Sequence, residues 1–204
     1  LFSKIVRKGE QTREAILERA LTLASRMGLD GLSIGSLAEE LGLSKSGLFA
    51  HFKSKEALVV QMLERAGQLY SEVVVKPALA ARPGEPRVRA LFERFLRWPE
   101  LVPQPGGCIF VAASIELDDQ PGVARDLLVR MRKEWVAFVA GAVRRAIDAG
   151  HFHAKVDPEQ FAFEMEGIGL MWHHATRLLG DPRADRRAHR AFEALLASAR
   201  APRG

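Results

Sequence analysis

The fold is decided by residues 33–58, which read SIGSLAEELGLSKSGLFAHFKSKEAL. Ser33 and Ser44 each stand where a helix N-cap is needed, and Gly42 stands where the first helix must end and the chain must turn sharply. The two helices this predicts have about seven residues each, too few for either to be stable in isolation. The segment therefore predicts a helix-turn-helix that longer helices brace on both sides.

The apolar residues of this segment predict its buried side. The inner face consists of Leu37, Ala38, Leu41, Leu48 and Phe52. Leu43 is expected to fill the core beneath the turn. This arrangement leaves the beginning of the second short helix exposed.

That exposed end carries Lys45, Ser46 and Gly47. In helix-turn-helix docking, the same end reaches base edges in the major groove. Lys45 can donate to guanine O6 and N7, Ser46 can pair with several bases, and Gly47 lets the backbone approach closely. The alternative is that Ser44 and Lys45 only cap and solubilise a surface helix.

Further basic residues are placed to flank the groove. His51, Lys53 and Lys55 are expected near phosphates, and Lys55 lies in the first turn of the next helix, where free N–H groups favour an anion. Thr12, near the start of the first helix, can add a contact. A basic segment before that helix is either solvated or in contact with DNA: Lys4, Arg7 and Lys8.

The remainder of the chain is also helical by its pattern. Apolar residues recur at helical spacing between proline and glycine breaks, and no hairpin signal is present. We predict an all-α fold of about nine helices. A three-helix head over residues 1–55 is joined by a linking helix to a helical body over residues 56–204. The fifth helix is expected to end at about Trp98, because three prolines and two glycines lie between Pro99 and Gly107.

Residues 33–58 resemble the head of the tetracycline-repressor (TetR) family of transcriptional regulators. The resemblance implies a sequence-specific repressor that binds a palindromic operator as a homodimer and is released by a small apolar or amphipathic effector. The family usually has tyrosine where this chain has Phe49, which keeps an apolar contact with DNA but loses the hydroxyl. The residues expected at the DNA are Thr12, Ser33, Ser44, Lys45, Ser46, Gly47, Phe49, His51 and Lys55.

In the resembled family the helical body binds a small ligand. Ligand pockets are mostly apolar with a few polar groups, so a pocket is expected where bulky and polarizable residues gather among the middle helices. The candidates are Phe95, Trp98, Cys108, Phe110, Ser114, Trp135, Phe138, Met165, Trp172 and His173. The alternative is that these residues form ordinary core.

The same family pairs through its last two helices. Small residues in this part of the chain, such as Gly167 and Ala191, permit close helix contact and a four-helix interface. The expected face is Phe161, Ile168, Ala175, Ala188, Phe192 and Leu195. The alternative is that these stripes pack only on their own body.

Composition and charge limit the other classes of protein to which this sequence could belong. The net charge of +5 suits an anionic partner, but the mixing of acids with arginines in the body argues against a non-specific architectural DNA binder. The single cysteine, Cys108, excludes an internal disulfide and a zinc finger. The apolar runs are too short for a membrane span and the first residues lack a secretory-signal pattern, so we expect a cytoplasmic protein.

Catalysis is not expected. The sequence contains no His-Glu-x-x-His, no phosphate-cradling glycine loop and no nucleophile elbow. The rival reading, an enzyme with a metal site, would depend on scattered histidines: His151, His153, His173, His174 and His189. We expect no metal and no cofactor.

Overall fold

The computed structural model describes residues 8–201, with side chains described from Thr12 onward. Its helices are α1 (Lys8–Gly31), α2 (Ile34–Leu41), α3 (Lys45–Phe52), α4 (Lys55–Tyr70), α5 (Lys76–Leu79), α6 (Glu85–Leu101), α7 (Ile109–Leu117), α8 (Val123–Asp148), α9 (Pro158–Arg177) and α10 (Ala184–Ala199). A π-helical stretch, Ser71–Val75, joins α4 to α5 without a break. Counted as continuous helices, residues 8–201 hold nine, and their only β-structure is an isolated bridge. The all-α prediction is confirmed.

The described residues form two compact units. Unit 1 consists of the described residues up to Leu69 together with Pro103–Val129, and unit 2 consists of Tyr70–Val102 together with the described residues from Arg130 onward. Unit 1 therefore contains the helix-turn-helix and also α7 and the start of α8. The sequence alone did not indicate that this second segment packs with the head.

The ends of α2 and α3 are set by the residues predicted to cap them. The hydroxyl of Ser33 accepts a hydrogen bond from the N–H of Ser36, and the Ser36 hydroxyl accepts one from the N–H of Ser33, at 2.9 and 3.0 Å. Gly42 ends α2 in the left-handed conformation, with φ 63°. The hydroxyl of Ser44 accepts from the N–H of Gly47 at 3.1 Å. Short-range chemistry thus defines both helices.

Burial of the inner face holds these short helices in place. Leu37, Leu48 and Phe52 are almost completely buried, which supplies about 1.5–3 kcal/mol for each side chain. Leu43 is 42% exposed, so the expectation that it fills the core beneath the turn is wrong. The buried residues of the two short helices are Leu37 and Ala38 in α2 and Leu48 and Phe52 in α3.

The segment Pro103–Val129 packs on α1 through a close backbone contact. A Cβ atom at Gly106 would lie 1.4 Å from the carbonyl oxygen of Ser25, so only glycine fits. The N–H of Gly106 donates to the Ser25 hydroxyl at 3.3 Å, and the Thr22 hydroxyl donates to the carbonyl of Pro103, also at 3.3 Å.

Helix α6 extends beyond its predicted end. It continues through Pro99 to Leu101 instead of ending at Trp98. Pro99 removes one backbone hydrogen bond, to the carbonyl four positions earlier, but does not end the helix. The N–H of Val102 still bonds to the carbonyl of Trp98 at 3.2 Å.

The core of unit 2 contains a phenylalanine cluster from α6, α9, α10 and the loop after α8. The rings of Phe92 and Phe192 stack with their centroids 3.8 Å apart, and Phe161 lies 5.6 Å from Phe152 and 6.5 Å from Phe192. Asp157 caps α9 by accepting from the next backbone N–H groups. None of the helices in residues 8–201 combines the length and the hydropathy needed to cross a bilayer.

Candidate nucleic-acid interface

The beginning of α3 is exposed, as the sequence predicted. Ser44, Lys45, Ser46 and Gly47 all lie at the surface, while Leu48 directly behind them is fully buried. The first turn holds no acidic residue, so the partial positive charge of the helix N-terminus adds to that of the Lys45 ammonium. This end of α3 can receive an anionic or hydrogen-bond-accepting partner.

A side chain at Gly47 would interfere with the cap of α3. A Cβ atom at this position would lie 2.9 Å from the Ser44 hydroxyl oxygen, so a side chain would disturb the hydrogen bond that begins α3. The side chain of Lys45 lies near α2, because a Cβ at Gly35 would be 3.9 Å from Lys45 Cε. The structure therefore brings the start of α2 and the start of α3 together.

The flanking candidates are also at the surface, but several already have partners. Phe49 is 53% exposed and His51 and Thr12 are exposed. The Lys55 ammonium donates to the backbone carbonyl of Asp30 at 3.0 Å.

The hydroxyl of Ser33 is engaged in the capping box of α2. Lys53 ends α3 with φ 61°, a left-handed conformation that disfavours a non-glycine residue by about 1–2 kcal/mol. The basic segment of Lys4, Arg7 and Lys8 lies outside the residues whose side chains the structure describes.

An aromatic cluster in unit 2 contains four of the residues predicted for the pocket. Around Trp135, ring centroids lie 5.8 Å away for Phe95 and 6.4 Å for Phe138. Tyr70 packs edge-on against both Trp98 and Trp135, at 5.1 Å from each. We call these five residues the aromatic cluster.

The other pocket candidates are placed separately. Met165 is fully buried in unit 2, whereas Cys108, Phe110 and Ser114 belong to α7 or its N-cap in unit 1.

A buried ion pair beside the aromatic cluster was missed at the sequence level. Glu166 is 7% exposed, and its carboxylate accepts from the Trp135 indole N–H at 2.5 Å and pairs with the guanidinium of Arg132. Burying a charged group is unfavourable unless it is paired and hydrogen-bonded, as the Glu166 carboxylate is here. The available signal was an acid on the same α9 face as the small residues Ala162 and Gly169.

Trp172 and His173 do not join this cluster. The indole N–H of Trp172 donates to the carboxylate of Asp185 at 2.5 Å, which links α9 to α10. Burial lowers the pKa of the His173 ring, and the neighbouring Arg177 and His174 lower it further, which favours the neutral ring. Across residues 8–201, no three histidine, cysteine or acidic side chains form a group that could hold a metal.

The outer surface of α9 and α10 carries an open groove of about 750 Å³. Three of the residues expected at the dimer face line it: Ile168, Ala188 and Leu195. Phe161 and Phe192 instead lie in the phenylalanine cluster, and Ala175 is buried. The apolar side chains that are actually exposed on and just after α9 were not predicted: Phe163, Leu170, Met171, Leu178 and Leu179.

In α2 and α3 the chain has a capped helix-turn-helix whose second helix exposes its N-terminal end, and a helical body follows. This is the arrangement of a DNA-binding regulator. A family model described as "Bacterial regulatory proteins, tetR family" matches residues 16–62, and one described as "Tetracyclin repressor-like, C-terminal domain" matches residues 84–192. The second match alone spans more than half of the chain. The chain belongs to the TetR family of transcriptional regulators, which are not enzymes.

Individual relatives agree with this family. The tetracycline repressor protein class C of Escherichia coli is 42% identical over 52 residues, which is 26% of this chain and 24% of that protein. A TetR-family regulator from Cytophaga hutchinsonii aligns over 98% of this chain and 100% of its own, with a TM-score of 0.85 and 20% identity. AibR, solved in complex with isovaleryl coenzyme A and operator DNA, aligns over 93% of this chain and 98% of its own, with a TM-score of 0.70 and 22% identity.

The extent of each likeness differs. This chain matches only about a quarter of the length of the class C repressor. The two solved structures share only 20% and 22% sequence identity with this chain, so their likeness shows the fold alone.

Proposed function

We propose that this protein is a ligand-responsive repressor that binds a palindromic operator as a homodimer and leaves it when a small apolar or amphipathic effector binds. The observation that carries the proposal is the exposed, positively charged beginning of α3. We assign DNA binding to residues 1–55 and ligand binding and dimerisation to residues 56–204. A regulator acts where the operators are, so we place it in the cytoplasm.

Base reading is assigned to the first turn of α3. Lys45 and Ser46 contact base edges in the major groove, and the exposed ring of Phe49 contacts a thymine methyl or the sugar-phosphate backbone. The residues assigned to the phosphates on either side, which position the protein without reading sequence, are Thr12, Ser33, Ser44, His51 and Lys55. Gly47 lets the backbone approach.

The effector is assigned to the aromatic cluster and the ion pair beside it. Aromatic faces suit an apolar body, and the Glu166–Arg132 pair offers the few polar contacts that fix a ligand's orientation. AibR has been solved with an acyl-coenzyme A and operator DNA, so this fold can hold a small molecule and DNA. The contacts suggested for Cys108, Phe110 and Ser114 stay predictions.

The homodimer is assigned to the groove of α9 and α10. Met171, which lines this groove, is 54% exposed, and exposed apolar surface gathered in one place is typical of an interaction site. Two helices from each copy would cover it as a four-helix interface with twofold symmetry. Two heads paired in this way read half-sites about 34–36 Å apart, one DNA turn, or a multiple of that.

The proposal is tested by selecting bound fragments from the source genome and measuring affinity at fixed salt. A repressor of this kind prefers its palindromic site over bulk DNA by about a thousandfold or more. Effectors added to the complex then release it, because a ligand shifts an equilibrium only by its differential affinity for the two states. Equal affinity for all DNA would refute the proposal in favour of a non-specific architectural binder.

A further inference from the structure

Helix α1 is kinked near its end, and a carboxylate from α7 holds the kink. Gly28 has φ 77° and ψ 173°, which interrupts the helix. The Glu116 carboxylate accepts hydrogen bonds from the N–H groups of Leu29 at 2.9 Å and Asp30 at 2.8 Å. A Cβ atom at Gly28 would lie 2.7 Å from Glu116 Oε1, so the carboxylate occupies space that only glycine leaves open.

Asp30, whose N–H bonds to Glu116, also contacts Lys55, which is assigned to DNA. The carbonyl of Asp30 accepts from the Lys55 ammonium at 3.0 Å, and the Asp30 carboxylate lies 3.8 Å from it. The Lys55 side chain is 44% exposed, and its ammonium keeps two further N–H donors for a phosphate. A side chain held in place before binding loses less conformational entropy when it makes its contact.

The segment that carries Glu116 is itself attached to the head. The Glu56 carboxylate accepts from the N–H of Val123 at 3.3 Å, which ties the start of α8 to the start of α4. The backbone of Gly106 lies against that of Ser25. Residues 103–129 are therefore fixed to α1 before Glu116 and to α4 after it, the two helices that flank the helix-turn-helix, and all of these contacts lie within unit 1.

We infer that Glu116 is a positioning residue for operator binding: it holds the amides of Leu29 and Asp30, and so places the Asp30 carbonyl that fixes the Lys55 ammonium at the DNA surface. The inference rests on the proposed function, because it needs Lys55 to contact a phosphate. It gives α7, which lies outside residues 1–55, a part in DNA binding that it exerts through Lys55.

Glu116→Gln is the test, because the amide keeps the shape of the side chain but can accept from only one of the two N–H groups. The matched control is Glu64→Gln, which removes the same charge from an exposed site on α4 in the same unit. Affinity for the selected operator and for unrelated DNA is measured at one salt concentration, with and without Lys55→Ala. Thermal unfolding shows that each variant is folded.

We expect Glu116→Gln to weaken operator binding about fivefold relative to Glu64→Gln, since one charge-assisted hydrogen bond is lost. In the Lys55→Ala background the same change is expected to have less than about a twofold effect, because the contact it acts through is gone. The amides of Leu29 and Asp30 are expected to exchange hydrogen faster in Glu116→Gln alone.

Three outcomes overturn the inference. Glu116→Gln could reduce operator affinity equally with and without Lys55→Ala, or it could reduce it no more than Glu64→Gln does. The amides of Leu29 and Asp30 could also exchange faster while operator affinity stays unchanged. Gly28→Ala provides a second route if Glu116→Gln does not fold, since its Cβ displaces the same carboxylate, and it must show the same dependence on Lys55. A wild type without operator preference refutes the proposed function itself, whatever the variants show.

Discussion

Replacing Gly106 by alanine would test the docking of residues 103–129 on the head. The new Cβ would lie 1.4 Å from the Ser25 carbonyl oxygen and 2.0 Å from its carbon, whereas carbon and oxygen atoms in contact stay about 3.5 Å apart. Both neighbours are backbone atoms, so no side-chain rotation relieves the clash. The loop must therefore move by about 2 Å.

That movement has a calculable effect on stability. It breaks the hydrogen bonds that join Gly106 to Ser25 and Thr22 to Pro103, each contributing about 1 kcal/mol. The backbone shift in a packed interior adds about 1–3 kcal/mol. A total of about 3–5 kcal/mol corresponds to a fall in melting temperature of roughly 10 °C for a protein of this size.

Thermal unfolding followed by circular dichroism measures this fall. The control is Gly141→Ala inside α8, where the nearest atom to the new Cβ is Arg145 Nη1 at 3.8 Å. There alanine is the better helix former and should stabilise by about 0.5–1 kcal/mol. A Gly106→Ala melting temperature within about 2 °C of the wild type would show that the loop does not pack tightly on α1 and would refute the reasoning.

The remaining predictions concern DNA, pairing and pH. Lys45→Ala should weaken binding in a base-dependent way, by about 1–3 kcal/mol, whereas Lys55→Ala should weaken all sequences alike and reduce the salt slope by about 0.9. Met171→Glu should give monomers in analytical ultracentrifugation with an unchanged helical spectrum, because it places a charge in the groove of α9 and α10. Burial lowers the pKa of His189, but hydrogen bonds to Glu93 and to the Asp185 carbonyl outweigh it and raise that pKa. The protonated ring therefore stabilises the fold below about pH 6.5 and loses that effect as pH rises through the raised pKa, so His189→Gln should lower the melting temperature more at about pH 6 than at about pH 8.5.

Each of these has a control or a contradicting result. Equal loss on every sequence for both lysine variants would refute their separate roles. Ile115→Glu places the same charge on another exposed apolar position, which is 71% exposed and is not among the residues that line the groove, and should leave the dimer intact. If the difference in melting temperature between wild type and His189→Gln does not change with pH, the charge of the ring does not contribute to stability.

The sequence by itself determined the helical class and the helix-turn-helix. Ser33, Gly42 and Ser44 act on groups within four residues of themselves, so their spacing predicts both ends of α2 and the beginning of α3. The exposed side of α3 followed from the buried positions of Leu48 and Phe52. Local hydrogen bonds and helical periodicity are enough for such features.

The outer face of α9 could not be chosen from the sequence. This helix has apolar residues on two sides, and the helical stripe led to Phe161, not Phe163, as the residue expected at the dimer face. Packing against α6 and α10 buries Phe161 and leaves Phe163 71% exposed. The side that faces the protein depends on neighbouring helices, which a single-helix pattern does not contain.

Only the tertiary structure decided which distant residues act on the head and in the body. Gly106 and Glu116 lie more than eighty positions from Ser25 and Leu29, which they contact, and Glu166 is 31 positions from Trp135. In the sequence these are an ordinary loop glycine and two ordinary helix acids. Their roles come from what folding places beside them, because a hydrogen bond or a steric fit depends on distance in space and not on separation along the chain.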